Sequence, residues 1–109
     1  MQNHLSDTIS KMFVKIHKSC RTVVAIADSD IIGKTFEEGK RQIYVRENFY
    51  KGTEVNKEEL IAIIRRQQIE DASFNIVGKN SVEAAIEAGI ITKKSVAKIK
   101  NLPFALVLL

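Results

Sequence analysis

The sequence predicts an α+β fold: a small single domain in which a mostly antiparallel sheet, made of two hairpins and a C-terminal strand, is joined by two main helices. Three observations carry that expectation. Apolar and polar residues alternate early in the chain, a capping box opens a helically spaced stretch near Asn56, and a segment free of polar side chains, Leu102 to Leu109, closes the sequence. Size agrees, since 109 residues suffice to bury most of the apolar surface of one domain without disulfides or a metal.

Residues 1–11 read as an N-terminal tail, polar except for Leu5 and Ile9, and residues 12–109 as the domain. Val14 and Ile16 alternate with Lys15 and His17, Ser19-Cys20-Arg21 supplies a turn, and Thr22 to Ala27 is β-branched and apolar. That pattern is one antiparallel hairpin. A second joins Lys34–Phe36 to Gln42–Arg46 through Glu37-Glu38-Gly39-Lys40, where Gly39 supplies a positive φ and Ile43 and Val45 face the core.

Asn56 and Glu59 form a capping box, and Leu60, Ile63, Ile64 and Gln67 follow at helical spacing to about Gln68. Glu58 and Glu59 at its start and Arg65 and Arg66 near its end complement the helix dipole. Asn75 to Ile91 combines a glycine turn, a second helix capped by Asn80 or Ser81 with Glu83 closing the box, and a stop at Gly89. Val82, Ala85 and Ile86 face inward on that helix. Thr92 caps a brief turn through Val96. The apolar terminus fits a strand covered on both faces, with Pro103 placing it at an edge or at the strand's first residue. It either docks in its own fold or completes an interface with another chain.

Seventeen Lys and Arg against thirteen Asp and Glu give a net charge of +4, which supports an anionic partner only weakly. Lys15, Lys18 and Arg21 recur around the first hairpin, and Lys93, Lys94, Lys98 and Lys100 crowd the segment before the last strand. If the last strand lies beside the first hairpin, the two groups merge into a lysine-rich face able to neutralise several phosphates; otherwise they are a solvated surface. Tyr44, Phe49 and Tyr50 are the candidates for base stacking, and equally for core packing.

Other chemistry is sparsely signalled. Gly33-Lys34-Thr35 lacks the first glycine of a phosphate loop, because Asp28 stands five residues earlier. Asp28, Asp30 and Lys34 follow a strand, where an acid, a base and a cation would serve a small enzyme, although such carboxylates more often cap turns. His4 and His17 are too few and too scattered for a zinc site, and no cofactor motif is present, so neither metal nor cofactor is expected. Cys20 alone forms no intramolecular disulfide, which sets a reducing compartment, the cytoplasm, as the expectation. No apolar run approaches the roughly 20 residues that span a bilayer, so no membrane partner is expected.

The chain resembles an archaeal conserved family known as the domain of unknown function numbered four hundred and twenty-four. The resemblance runs from about Phe13 to Leu109 and rests on Val14-Lys15-Ile16-His17, Asp30-Ile31-Ile32-Gly33-Lys34, Phe49-Tyr50-Lys51-Gly52, Asn75-Ile76-Val77-Gly78 and Val82 to Gly89. It implies an α+β domain of archaeal origin with a link to translation or ribosome biogenesis, and no catalytic residue. Where the family pattern places a histidine after the proline near the end, this chain has Phe104.

Three functional expectations follow. The first is a non-enzymatic ribosome- or RNA-associated accessory protein, with Lys15, Lys18, Arg21, Lys93, Lys94, Lys98 and Lys100 on phosphates. The second is a small enzyme with its site near Asp28, Asp30 and Lys34. The third is a protein-interaction module or homo-oligomer using the apolar C-terminal strand or the Phe49-Tyr50 region.

Overall fold

In a computed structural model, which describes residues 11–108, the chain forms eight strands and three α-helices. The tail assigned to residues 1–11 lies, apart from Lys11, outside the described residues, as does Leu109. β1 (Met12–Lys18) and β2 (Thr22–Asp28) make the first hairpin around Ser19-Cys20-Arg21. β3 (Thr35–Glu38) and β4 (Arg41–Tyr44) make the second, with Gly39 at φ 63° in a two-residue turn. A single helical turn, α1 (Glu47–Tyr50), leads to β5 (Thr53–Val55), then α2 (Lys57–Ile69), β6 (Ser73–Val77), α3 (Lys79–Ala88), β7 (Ala97–Ile99) and β8 (Leu102–Val107).

Six strands form one sheet in the order β5-β1-β2-β6-β8-β7, and β3-β4 is a separate ribbon. All pairs are antiparallel except β2 with β6, where Ala25 is level with Asn75. Strand alternation divides the side chains between two cores. Met12, Val14, Val24, Ile26, Phe74 and Ile76 face α2 and α3, where Leu60, Ile64, Val82 and Ala85 meet them. Ala25, Ala27, Val77, Ile99 and Leu102 face the other way, under the ribbon, Val45 and Tyr50. Burial of these two sets is the main stabilising term.

α2 begins as its sequence predicts. The Asn56 side chain accepts from the Glu59 N–H at 2.8 Å, and the Glu59 carboxylate accepts from the Asn56 N–H at 2.9 Å. At its first residue Lys57 forms ion pairs with Glu87 and, at 3.8 Å, Glu83, tying α2 to α3. α3 ends at Gly89, whose φ of 88° is left-handed.

The start of α3 corrects the sequence reading. Neither Asn80 nor Ser81 is the cap; both lie in the first turn, and Gly78 occupies the capping position without a side chain. The cap comes from β2 instead. Asp28, buried at the strand's end, accepts from the Asn80 N–H at 3.0 Å and the Ser81 N–H at 2.8 Å. It also accepts from the Ser81 hydroxyl at 2.7 Å and the Asn80 amide at 3.3 Å. A buried carboxylate is tolerated here because four donors and the positive end of the helix meet it. Gly78 must stay bare: its φ is 113°, and a Cβ would come 2.5 Å from Asp28 Cγ.

The C-terminal segment also differs. β8 is not the edge strand, because the short β7, lysine-bearing and too brief to read from sequence, pairs outside it. The two are joined by Lys100-Asn101, both at positive φ (51° and 65°) as in a type I′ turn. β7 reaches only as far as Phe104. Leu106 and Leu108 are 58% and 76% exposed rather than covered on both faces.

The cap relationship gives the first prediction. Asp28→Ala removes the acceptors of two buried and two part-buried donors and should cost about 2–3 kcal/mol in urea unfolding, against about 1 kcal/mol for Asn56→Ala. Equal losses for the two would mean that the strand carboxylate contributes no more to α3 than an ordinary exposed cap.

Candidate nucleic-acid interface

The two lysine groups of the sequence do not meet. β1 and β7 are separated by β2, β6 and β8, which at ~4.8 Å per strand is roughly 19 Å across the sheet. Register adds to the separation: Lys98 is level with Pro103 at the Met12 end of β1, whereas Lys18 closes the other end. Lys15 and Lys18, three residues apart on one strand, also point to opposite faces. Arg21 is exposed in the β1-β2 turn, Lys93 and Lys94 in the turn before β7, and Lys98 and Lys100 on the β7 edge. A single lysine-rich face is therefore not built.

The proposed acid, base and cation also disperse. Asp28 is occupied at the N-terminus of α3, while Asp30 and Lys34 are exposed. Gly33-Lys34 has a structural task. The Gly33 N–H donates to the Val45 carbonyl at 2.7 Å and the Val45 N–H donates to the Lys34 carbonyl at 2.9 Å. Among the described residues no group of three or more His, Cys, Asp or Glu is placed to hold a metal ion, and no helix is long and apolar enough to cross a membrane. Cys20 is exposed in its turn.

What the fold does assemble lies on the sheet face opposite α2 and α3. Phe13, Lys15 and His17 occupy alternate positions of β1 on that face, and α1 lies over them. Apart from Glu47, whose carbonyl accepts from the Lys51 N–H, a single helical turn leaves its carbonyls without helical partners. β1 satisfies two of them: Lys15 Nζ donates to the Asn48 carbonyl and His17 Nε2 to the Phe49 carbonyl, each at 2.8 Å. Because a carbonyl only accepts, His17 carries its proton on Nε2. The strand can approach this closely because residue 52 is glycine, where a Cβ would come 2.9 Å from the Lys15 Cβ.

The aromatic rings then fall into place. The His17 imidazole stacks on Phe49 with centroids 4.5 Å apart and 13° between planes, and Phe49 meets Tyr50 edge-on at 4.9 Å. Tyr50 is buried, and burial pushes its phenol above the usual value of 10.0. Tyr44 is different. It flanks the buried Val45 on one side and Arg46 flanks it on the other, the chain turning tightly so that the Arg46 N–H donates to the Tyr44 carbonyl at 2.9 Å. Tyr44 is 50% exposed, and the Arg46 guanidinium lies 5.3 Å from its ring centroid.

Together these residues line an open cleft of about 480 Å³ walled by His17, Tyr44, Arg46, Asn48, Phe49 and Tyr50. A second depression of about 420 Å³ shares Tyr44, Arg46 and Asn48 and adds Glu47. Of the sequence candidates, Tyr44, Phe49 and Tyr50 line the cleft, and Lys15 lies beside it through its bond to the Asn48 carbonyl. His17, Arg46 and Asn48 were not read as site residues; the signal for Arg46 was its spacing of two from Tyr44 around an apolar Val45.

Fold and cleft define a class: a small α+β domain with an open, aromatic and cationic sheet face. The chain belongs to the family described as protein of unknown function, DUF424, which it matches over residues 17–109. Its fold is similar to the crystal structure of an uncharacterized conserved protein from Methanopyrus kandleri. The TM-score is 0.81 at 19% identity, covering 89% of this chain and 90% of that one. No match to a curated protein is found.

Tyr50 yields the second prediction. The folded protein holds the phenolic proton more tightly than the unfolded chain, so its contribution to stability is intact below pH ~10 and is lost as pH rises through the folded-state value. Urea midpoints measured from pH 8 to 11 should fall less steeply at the alkaline end for Tyr50→Phe than for the native chain. Parallel curves would place Tyr50 ionisation outside the stability balance.

Proposed function

We propose that this protein is a non-enzymatic accessory protein that binds RNA, within the ribosome or another RNA–protein assembly of archaeal translation or ribosome biogenesis in the cytoplasm. The observation that carries this reading is the gathering of Tyr44, Arg46, Lys15 and the His17–Phe49 pair on one sheet face. Cations attract the phosphate backbone and aromatic faces accept unpaired bases, so a surface that carries both suits RNA with exposed bases. Among the described residues Arg46 has no ion-pair partner, so its donors face solvent. The lysines at the far edge, Lys93, Lys94, Lys98 and Lys100, together with Lys18 and Arg21, serve as peripheral contacts to a large RNA rather than as its primary site.

Filter binding of ribosomal RNA across a salt series tests this. Arg46→Ala should weaken binding and reduce the slope of log K against log salt by about one. Lys98→Ala with Lys100→Ala should have the smaller effect on affinity. No retention of RNA at low salt would remove the proposal.

A second reading is favoured by the exposed Leu106 and Leu108 beside the unpaired outer side of Ala105–Val107. There β8 offers apolar side chains and an open strand edge to a protein partner or a second copy. Light scattering at micromolar concentration should then report a dimer that Leu106→Lys dissolves; a monomer at all concentrations would leave self-association without support.

A further inference from the structure

Building on the RNA-binding reading, we infer that the cleft beside Tyr44 seats an unpaired base of single-stranded RNA, with the adjoining depression receiving the neighbouring nucleotide. Size supports this, because about 480 Å³ falls in the range of sites for small organic ligands, here open enough for a strand to pass through. The lining supports it further. None of the six residues walling the main cleft is acidic, and Glu47, the one acid lining the adjoining depression, is ion-paired with Lys51 at 3.2 Å. Its polar groups suit a nucleotide. Arg46 offers a planar fork for a phosphate, and Asn48 offers an amide that both donates and accepts at a base edge.

Neither group is occupied. Among the described residues the Asn48 side chain makes no hydrogen bond, its backbone carbonyl alone being used by Lys15, and the Arg46 guanidinium, over the Tyr44 ring, makes no hydrogen bond or ion pair. Both line both depressions, as does Tyr44. This shared wall is what allows two consecutive nucleotides to be held, one on each side. The half-exposed Tyr44 ring is the stacking platform; Phe49, already paired with His17, forms a rigid floor.

The same geometry excludes duplex RNA as the occupant of the cleft. In a helix the bases are stacked on one another and their faces are inaccessible to a tyrosine, so a duplex is gripped by shape through its phosphates and 2′-hydroxyls. An exposed aromatic ring set in a concavity has no partner on such a surface. Stacking also predicts tolerance of base identity, since every base has a π-face.

The test uses fluorescein-labelled ten-nucleotide oligo(A) and oligo(U) and an RNA hairpin duplex, read by fluorescence anisotropy at low salt with the full chain. Tyr44→Ala should weaken single-strand binding by about tenfold or more, and Tyr44→Phe should stay within about threefold of the native chain. Duplex binding through peripheral cations should change little in either variant. A second readout avoids mutating the platform. The chain has two tyrosines and no tryptophan, so in Tyr50→Phe the emission belongs to Tyr44 alone, and stacking of unlabelled oligo(A) should quench it.

The outcomes separate the two claims. RNA binding that is equal for native protein and Tyr44→Ala, binding confined to the duplex, or unquenched Tyr44 emission in a bound complex would each overturn the base site while leaving the RNA reading in place. Absence of binding to every RNA would overturn both.

Discussion

The contact on which the rest of the molecule depends is the Asp28 carboxylate at the N-terminus of α3. It joins the end of β2 to the first turn of a helix some fifty residues further on and fixes the β2-β6-α3 layer. The consequence extends beyond that layer. Once Asp28 is held, the turn at Ser29–Ile31 leaves β2 in a set direction, and Gly33 and Lys34 meet Val45 through two backbone hydrogen bonds. Val45 then determines where Tyr44 and Arg46 stand. A structural carboxylate thus positions an aromatic and cationic pair with which it has no contact.

A second constraint acts from β1. Strand alternation sends Met12 and Val14 toward the helices and Phe13, Lys15 and His17 toward α1, so one strand serves the main core and the cleft together. α1 is too short to persist alone, since a single turn bears the nucleation cost of a helix with almost none of its propagation gain. Lys15 and His17 offset that cost by meeting its carbonyls. This use also explains why counting lysines misjudges the surface: Lys15 is partly a structural residue, and Lys18, its neighbour in the count, faces away.

The parts of the fold legible in the sequence were those whose causes are local. Asn56 and Glu59 lie three residues apart and cap each other, Gly89 stops its own helix, and Ser19-Cys20-Arg21 turns between strands that pair with each other. What could not be read came from residues distant in the chain. Asn80 and Ser81 have the composition of caps, but the capping oxygens belong to Asp28. α1 takes its support from β1, and β7 is three residues long and exists because β8 lies beside it. Of the cleft, the aromatic residues were visible as candidates. His17, Arg46 and Asn48 were not, because their meeting depends on α1 lying over β1.

These relations lead to one picture: cations dispersed by the sheet order over several surfaces, and a single face where aromatic rings and an unoccupied guanidinium share a concavity. Amide chemical-shift mapping of the isotope-labelled protein on addition of a ten-nucleotide single-stranded RNA tests this most directly. Shifts concentrated at Lys15–His17 and Tyr44–Tyr50 are the result the account requires. Shifts confined to Lys93–Lys100 at the β7 edge, with the Tyr44 region unmoved, would contradict it.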